Sequence, residues 1–168
     1  MKKAILLFSI IALPLTVSAQ ELKFGYISAQ EVMMEMPEIN AIEKEIADFN
    51  AQNTKYMQDM QKEIEDKAAK YEKERATLSE SIRKVQEEDL QILYQRYQNA
   101  QQTLYTEMQD KQAKLLQPVQ ERLKKAIEAV GKKNNFFFVF NLDEGGVVYK
   151  SEKAIDITAL VKKELGIL

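Results

Sequence analysis

The chain has 168 residues, a formal net charge of −2, and neither histidine nor cysteine. These absences exclude the commonest general base, a thiol nucleophile, a disulfide framework and most transition-metal sites, and the acidic balance argues against a nucleic-acid partner. With five glycines and three prolines, the composition is more typical of long helices than of a compact globule. We therefore expect a protein that is not an enzyme and has no cofactor or metal site.

The first residues have the features of a secretory signal peptide. A basic start, Met1-Lys2-Lys3, precedes an apolar stretch from Ala4 to Val17 that includes Pro14, and small residues end at Ala19. The apolar stretch is shorter than the ~20 residues that a membrane span needs. The sequence therefore predicts that residues 1–19 are cleaved after Ala19, rather than kept as a membrane anchor, and that the mature chain is exported.

The first element after this leader is a predicted strand, residues 22–27, which alternates apolar and other residues. Ser28 followed by Glu31 forms a capping box, which predicts the start of a short helix. That helix is expected to end near Met36, because Pro37 disfavours helical geometry in the residue before it and suits the first turn of a new helix.

The segment between Pro37 and Pro118 contains no glycine or proline and is rich in helix formers. Apolar residues recur in it at steps of three, four or seven, which predicts a coiled-coil seam in each half. In the first half these are Phe49, Tyr56, Met60, Ile64, Ala68, Tyr71, Leu78, Ile82 and Val85; in the second they are Leu90, Leu93, Tyr97, Ala100, Leu104, Met108, Leu115, Val119 and Leu123. Thr77 with Glu80 offers a second capping box midway. The sequence therefore predicts a helical hairpin over residues 41–117 that reverses near residues 77–82.

Beyond the hairpin, the helix is expected to kink at Pro118 and to end at a cap formed by Gly131. Residues 136–140 are apolar on both faces, which predicts a buried central strand. The turn residues 143–146 then predict a β-hairpin into another strand at residues 147–149.

At the end of the chain, Asp156 is expected to cap a helix over residues 157–165 that stops at Gly166. The predicted fold is α+β, mostly α, with the hairpin projecting from a β-containing head of residues 20–40 and 118–168. A head of about 70 residues has only a marginal core by itself, so copies are expected to associate through it. The candidate interface residues are Phe24, Tyr26, Phe136, Phe138, Phe140 and Val148.

Several apolar residues of the hairpin lie outside the two predicted seams, namely Met57, Ile92, Tyr94 and Tyr105. This second face could pack on another copy of the hairpin, or it could contact other polypeptides, for which flexible methionine and amphipathic tyrosine are suited. The candidate contact residues, some of which also belong to the seams, are Met57, Met60, Tyr71, Tyr94, Tyr97, Tyr105 and Met108.

The order of these motifs is itself informative. Phe24-Gly25-Tyr26-Ile27-Ser28 leads to Met36-Pro37-Glu38, and a breaker-free helical hairpin follows; Phe138-Val139-Phe140-Asn141, Val147-Val148-Tyr149 and Asp156-Ile157-Thr158 come after it. With a signal peptide in front, the chain resembles the Skp/OmpH-like family of periplasmic chaperones over its mature length.

The resemblance implies a homotrimer in which short strands form a small β-barrel body and three hairpins extend as tentacles around a cavity. Members of the family hold unfolded outer-membrane proteins there without ATP. One departure concerns charge, because the best-known members are strongly basic, whereas residues 62–89 here hold seven basic and nine acidic residues. Contact with membrane or lipopolysaccharide is therefore not carried over from the family. The alternative function is a coiled-coil adaptor of the cell envelope that binds one defined partner.

Overall fold

The computed structural model describes residues 22–168, so the predicted leader and its cleavage after Ala19 lie outside the described part of the chain. The elements, in chain order, are β1 (Lys23–Ile27), α1 (Ala29–Met34), α2 (Pro37–Glu74), α3 (Glu80–Lys133), β2 (Phe136–Asn141), a 3-10 turn (Leu142–Glu144), β3 (Ile155–Asp156) and α4 (Thr158–Leu165). The fold is α+β and mostly helical, as predicted: α2 and α3 form a long hairpin, and the strands with α1 and α4 form a small head.

The helical hairpin reverses over residues 75–79, which overlaps the predicted reversal near residues 77–82. Ser79, not Thr77, caps α3, because its Oγ accepts a hydrogen bond from the Ile82 amide at 3.4 Å. The Thr77 hydroxyl instead donates to the Glu74 carbonyl at 2.8 Å and so closes the end of α2. At 1.5 Å per residue, the 38 residues of α2 extend for about 57 Å.

The sheet has the strand order β2-β1-β3, and both pairs are parallel. Phe24 of β1 is opposite Phe138 of β2, and Tyr26 lies between Phe140 and Asp156. The prediction that residues 136–140 form a buried central strand is therefore wrong: β2 is an edge strand, and Phe138 and Phe140 are exposed. A strand with apolar residues on both faces is typically buried. Here β2 lies at the edge of a three-stranded sheet, so its aromatic rings remain in solvent.

The predicted β-hairpin into residues 147–149 is also not found; that segment is irregular, and Val148 is fully exposed. The free edge of β1 is taken instead by β3. The predicted turn residue Asp143 has another role, because its carboxylate accepts from the Ser28 hydroxyl at 2.9 Å and the Gln30 amide at 2.6 Å. It thereby ties the end of β2 to the start of α1, where Ser28 is the N-cap as predicted.

The C-terminal end of α3 lies beyond the predicted cap. The helix continues through Pro118 and Gly131, and Asn134 is the capping residue, with its side-chain amide donating to the Val130 carbonyl at 2.8 Å. Asn135 then takes φ of 56°, a left-handed conformation that asparagine tolerates better than most residues. Two consecutive asparagines thus do what a single glycine was expected to do.

Helix α4 begins one residue later than predicted. The Asp156 carboxylate accepts from the Thr158 amide at 2.9 Å, and Gly166, at φ of 74°, ends the helix as predicted. Ile157 is not helical but fully buried in the core below the sheet. The remaining members of this core are Ile27, Val32, Met36, Ile39, Val119, Leu123, Ala126, Val130, Val161 and Leu165.

Two basic residues attach α4 to its neighbours. The Lys162 ammonium lies 2.6 Å from Glu31 Oε1 and 2.9 Å from Glu35 Oε1, so it joins α4 to α1. Hydrogen bonds to these two carboxylates hold the pKa of Lys162 above its ordinary value. Arg122 of α3 pairs with Glu38 of α2 and donates to a carbonyl at the end of α4. These contacts join α4 to α1 through Lys162 and to the base of the hairpin through Arg122.

Candidate interaction surfaces

The seam of the hairpin follows the predicted residues through the whole second half. The nine predicted positions from Leu90 to Leu123 are all buried or half-buried. In the first half, Tyr56, Ile82 and Val85 are exposed instead. Met57 takes the seam position next to Tyr56, because it continues the spacing of the half-buried residues around it. At the tip, the half-buried residues of α3 include Arg83 rather than Ile82.

The predicted contact residues of the hairpin fall into three groups. Tyr94 and Tyr105 are 52% and 63% exposed, and the neighbouring off-seam residue Ile92 is also exposed. Tyr71 is buried, and its hydroxyl donates to the Glu87 carboxylate across the hairpin, which raises the pKa of Tyr71. The half-buried residues are Met57, Met60, Tyr97 and Met108. Of the predicted set, Tyr94 and Tyr105 are therefore the residues most available to another polypeptide.

A cluster of four phenylalanines covers the exposed side of the head. Phe24 and Phe138 stack with ring centroids 6.4 Å apart, and Phe137 packs edge-on against Phe138 at 4.9 Å. Phe140 continues the cluster, with its centroid 6.0 Å from that of Phe138. All four rings are at least 40% exposed. The sequence did not predict Phe137 here, because strict alternation places it on the opposite face from its neighbours.

The other predicted interface residues lie nearby. Phe136 and Tyr26 are half-buried, and Val148 is in the irregular segment before β3. A cavity of about 1060 Å³ separates that segment from β1 and is lined by Phe24, Tyr26 and Val148, among others. The Lys150 ammonium lies 3.8 Å from the centroid of the Tyr26 ring. The head thus presents an apolar concavity beside an exposed aromatic surface.

Within residues 22–168, no group of three or more acidic, histidine or cysteine side chains is arranged to hold a metal ion. No helix in that same range combines the length and the apolar character needed to cross a membrane.

Comparisons with known proteins agree with this architecture. A family model described as outer membrane protein (OmpH-like) matches residues 23–165. A crystal structure from Caulobacter crescentus CB15, provisionally described as an outer membrane chaperone (OmpH-like), matches with a TM-score of 0.73 and 16% identity, covering 86% of this chain and 84% of that chain. At this identity the likeness concerns the fold alone. No curated protein is detectably similar in sequence.

Proposed function

We propose, since the chain belongs to the family of OmpH-like outer membrane proteins, that it is an ATP-independent periplasmic holdase chaperone. It binds unfolded outer-membrane β-barrel proteins in a cavity between the helical hairpins of a homotrimer and prevents their aggregation. The observation that carries this proposal is the exposure of apolar side chains on the hairpin outside its own seam, at Tyr56, Ile92, Tyr94 and Tyr105.

These side chains suit the holding of an unfolded chain. An unfolded β-barrel protein exposes alternating apolar residues and unpaired strand edges, which associate with those of other copies. Tyrosine offers apolar area together with a polar tip, so it contacts many sequences weakly without demanding one of them. Holding by many weak contacts needs no nucleotide and no cofactor. Release follows when the client finds a partner that binds it better.

The head supports the assembly of several copies. The outer edge of β2 has no partner strand within the described chain, and its exposed phenylalanines are typical of a sheet edge that pairs with another molecule. Residues 147–149 have a strand-forming sequence but no strand partner in their own described chain. If this segment of one copy reaches β2 of the next, the contact is heterologous and can close into a ring. The number of three copies comes from the family resemblance.

The location follows from the leader. Residues 1–19 direct export and are removed after Ala19, which places the mature chain in the periplasm, where outer-membrane proteins pass through unfolded. A chaperone that needs no ATP suits such a compartment.

The test is the aggregation of a urea-unfolded outer-membrane β-barrel protein on dilution, with and without the purified chain and without ATP. Suppression at about one trimer per client is expected. No suppression even at large excess would refute the proposal. Saturable binding of one folded partner would then favour the adaptor function, in which the exposed hairpin face packs on a partner helix.

A further inference from the structure

One face of α3 carries an unusual set of residues, which we call the glutamine–tyrosine stripe. Its members follow one another at steps that keep them on one side of a helix, and all are exposed. They are Gln91, Tyr94, Gln95, Gln98, Gln101, Gln102, Tyr105, Gln109 and Gln112. At 1.5 Å per residue the stripe is about 32 Å long.

The stripe from Gln91 to Tyr105 lies in an almost uncharged part of α3, whereas its last members, Gln109 and Gln112, have the charged neighbours Glu107, Asp110 and Lys111 in the sequence. Between Leu90 and Thr106 the only charged residue is Arg96, whereas residues 62–89 hold seven basic and nine acidic residues. Across the hairpin, Glu45 pairs with Lys111 and Tyr71 pairs with Glu87. In the part of α2 between Glu45 and Tyr71, residues 46–61 contain Asp48, Lys55 and Asp59 as charged residues, and residues 62–67 are charged at all positions except Ile64. Ion pairs lie near both ends of the stripe, with Lys62–Asp66 at 3.0 Å towards the tip and Lys111–Glu45 at 2.5 Å towards the head.

The side-chain amides of the stripe are free to bind something else. Each glutamine offers two donors and one acceptor. Within the described part of the chain, none of the stripe glutamines has a side-chain hydrogen-bond partner; Gln52 and Gln58 of α2 have none either, whereas Gln61 and Gln117 bind Glu65 and Glu121. The hairpin itself does not require glutamine here. Glutamate and lysine favour helix as well and add i,i+4 ion pairs, as they do nearer the tip.

We propose that the glutamine–tyrosine stripe binds the main chain of an extended, uncharged segment of an unfolded polypeptide; this inference rests on the proposed holdase function. Such a segment presents unpaired N–H and C=O groups. A glutamine side chain can pair with both kinds, because its oxygen accepts a hydrogen bond and its NH₂ group donates. Charged side chains would have to lose hydration against an uncharged partner, whereas neutral amides lose much less. The absence of charge on the stripe therefore matches the absence of charge on its partner.

The dimensions agree with this partner. At about 3.3 Å per residue, a stripe of about 32 Å accommodates roughly 10 residues of extended chain, which is the length of one membrane-spanning β-strand. A helical turn rises 5.4 Å, whereas two residues of a strand advance about 6.7 Å, so the two repeats cannot stay in register. Long, flexible glutamine side chains tolerate this mismatch. The binding is therefore loose and independent of sequence, as a holdase requires.

The experiment compares two double variants of the purified chain that differ by a shift of one residue. Gln98→Met with Gln102→Met removes amides from the stripe and keeps side-chain length and helix propensity. Asn99→Met with Thr103→Met adds the same methionines to the same helical turns outside the stripe. The readout is the dissociation constant for a fluorescently labelled, urea-unfolded outer-membrane β-barrel protein. We expect about tenfold weaker binding by the stripe variant, since each lost hydrogen bond contributes modestly, and less than a twofold change in the control.

Three results would overturn the inference while leaving the holdase function intact. Unchanged or tighter binding by the stripe variant would mean that the contact is apolar. A steep loss of wild-type affinity between about 50 mM and about 500 mM salt would mean that charges hold the client. A change of oligomeric mass in the stripe variant alone would mean that the stripe packs on a second copy. A wild-type chain that binds no unfolded client would refute the proposed function and this inference together.

Discussion

Replacing Gly25 with alanine should destabilise the head, because the central strand leaves no room for a methyl group. A Cβ atom at position 25 would lie 3.1 Å from Cδ1 of Phe136 and 3.2 Å from Cγ2 of Ile157. Both distances are shorter than the separation of roughly 3.5–4.0 Å at which two non-bonded carbon atoms attract one another most. The half-buried Phe136 ring can shift, but Ile157 is fully buried in the core, and β1 is paired on both sides.

Overpacking of this kind costs about 1–3 kcal/mol, and we expect the Gly25→Ala variant to lose that much in free energy of unfolding. In a thermal scan this corresponds to a decrease of roughly 2–12 °C in Tm. Urea and thermal unfolding followed by circular dichroism would measure both quantities. The matched control is Gly146→Ala, since nothing lies within 4 Å of a Cβ atom there. Equal stability of Gly25→Ala and the control would show that the sheet is not packed as described.

Three further predictions concern the surfaces and the anchor of α4. Phe138→Asp puts a charge among stacked rings, so the mass measured by light scattering should fall from that of an oligomer to that of a monomer, with helicity retained. An unchanged mass would argue against the aromatic interface. The double variant Tyr94→Ser with Tyr105→Ser should bind an unfolded client roughly thirtyfold more weakly, since each ring can lose about 1 kcal/mol of apolar contact. Equal affinity would remove these two residues from the client surface. Lys162 stabilises the fold fully below its ordinary pKa of 10.5 and loses this effect as the pH rises through the higher pKa of the folded state. Lys162→Met should therefore flatten the alkaline part of the stability profile, and a profile parallel to that of the wild type would count against the anchor.

Local rules predicted the parts of the fold that depend on neighbours in sequence. Ser28 caps α1, and Gly166 ends α4, because each cap is decided within a few residues. The seam of α3 was predictable because nothing breaks the helix. Strand pairing was not, since β2 and β3 pair with a strand far away in the chain, and nothing local shows that β3 rather than residues 147–149 reaches β1.

The candidate surfaces were predictable to a smaller extent. Spacing placed Tyr94 and Tyr105 outside the seam, and both are exposed. Tyr71 was proposed for client contact but is buried, because its position in the first-half seam and its hydrogen bond to Glu87 decide its place. Spacing also could not choose between the neighbours Tyr56 and Met57, since either residue continues a step of three or four. The glutamine–tyrosine stripe was not predicted, because polar residues on a helix ordinarily indicate only a solvent-exposed face.

The sheet closes the base of the hairpin, and this has a consequence for how such proteins vary. Lys23 of β1 is paired with Phe136 of β2, so the whole hairpin is the connection between two adjacent parallel strands. Because its two arms leave and return at the same place, equal insertions in both arms change the reach of the hairpin without moving either strand. One added heptad per arm lengthens it by about 10 Å. In the proposed assembly of several copies, the depth of the space between the hairpins can therefore evolve independently of the contacts between the heads.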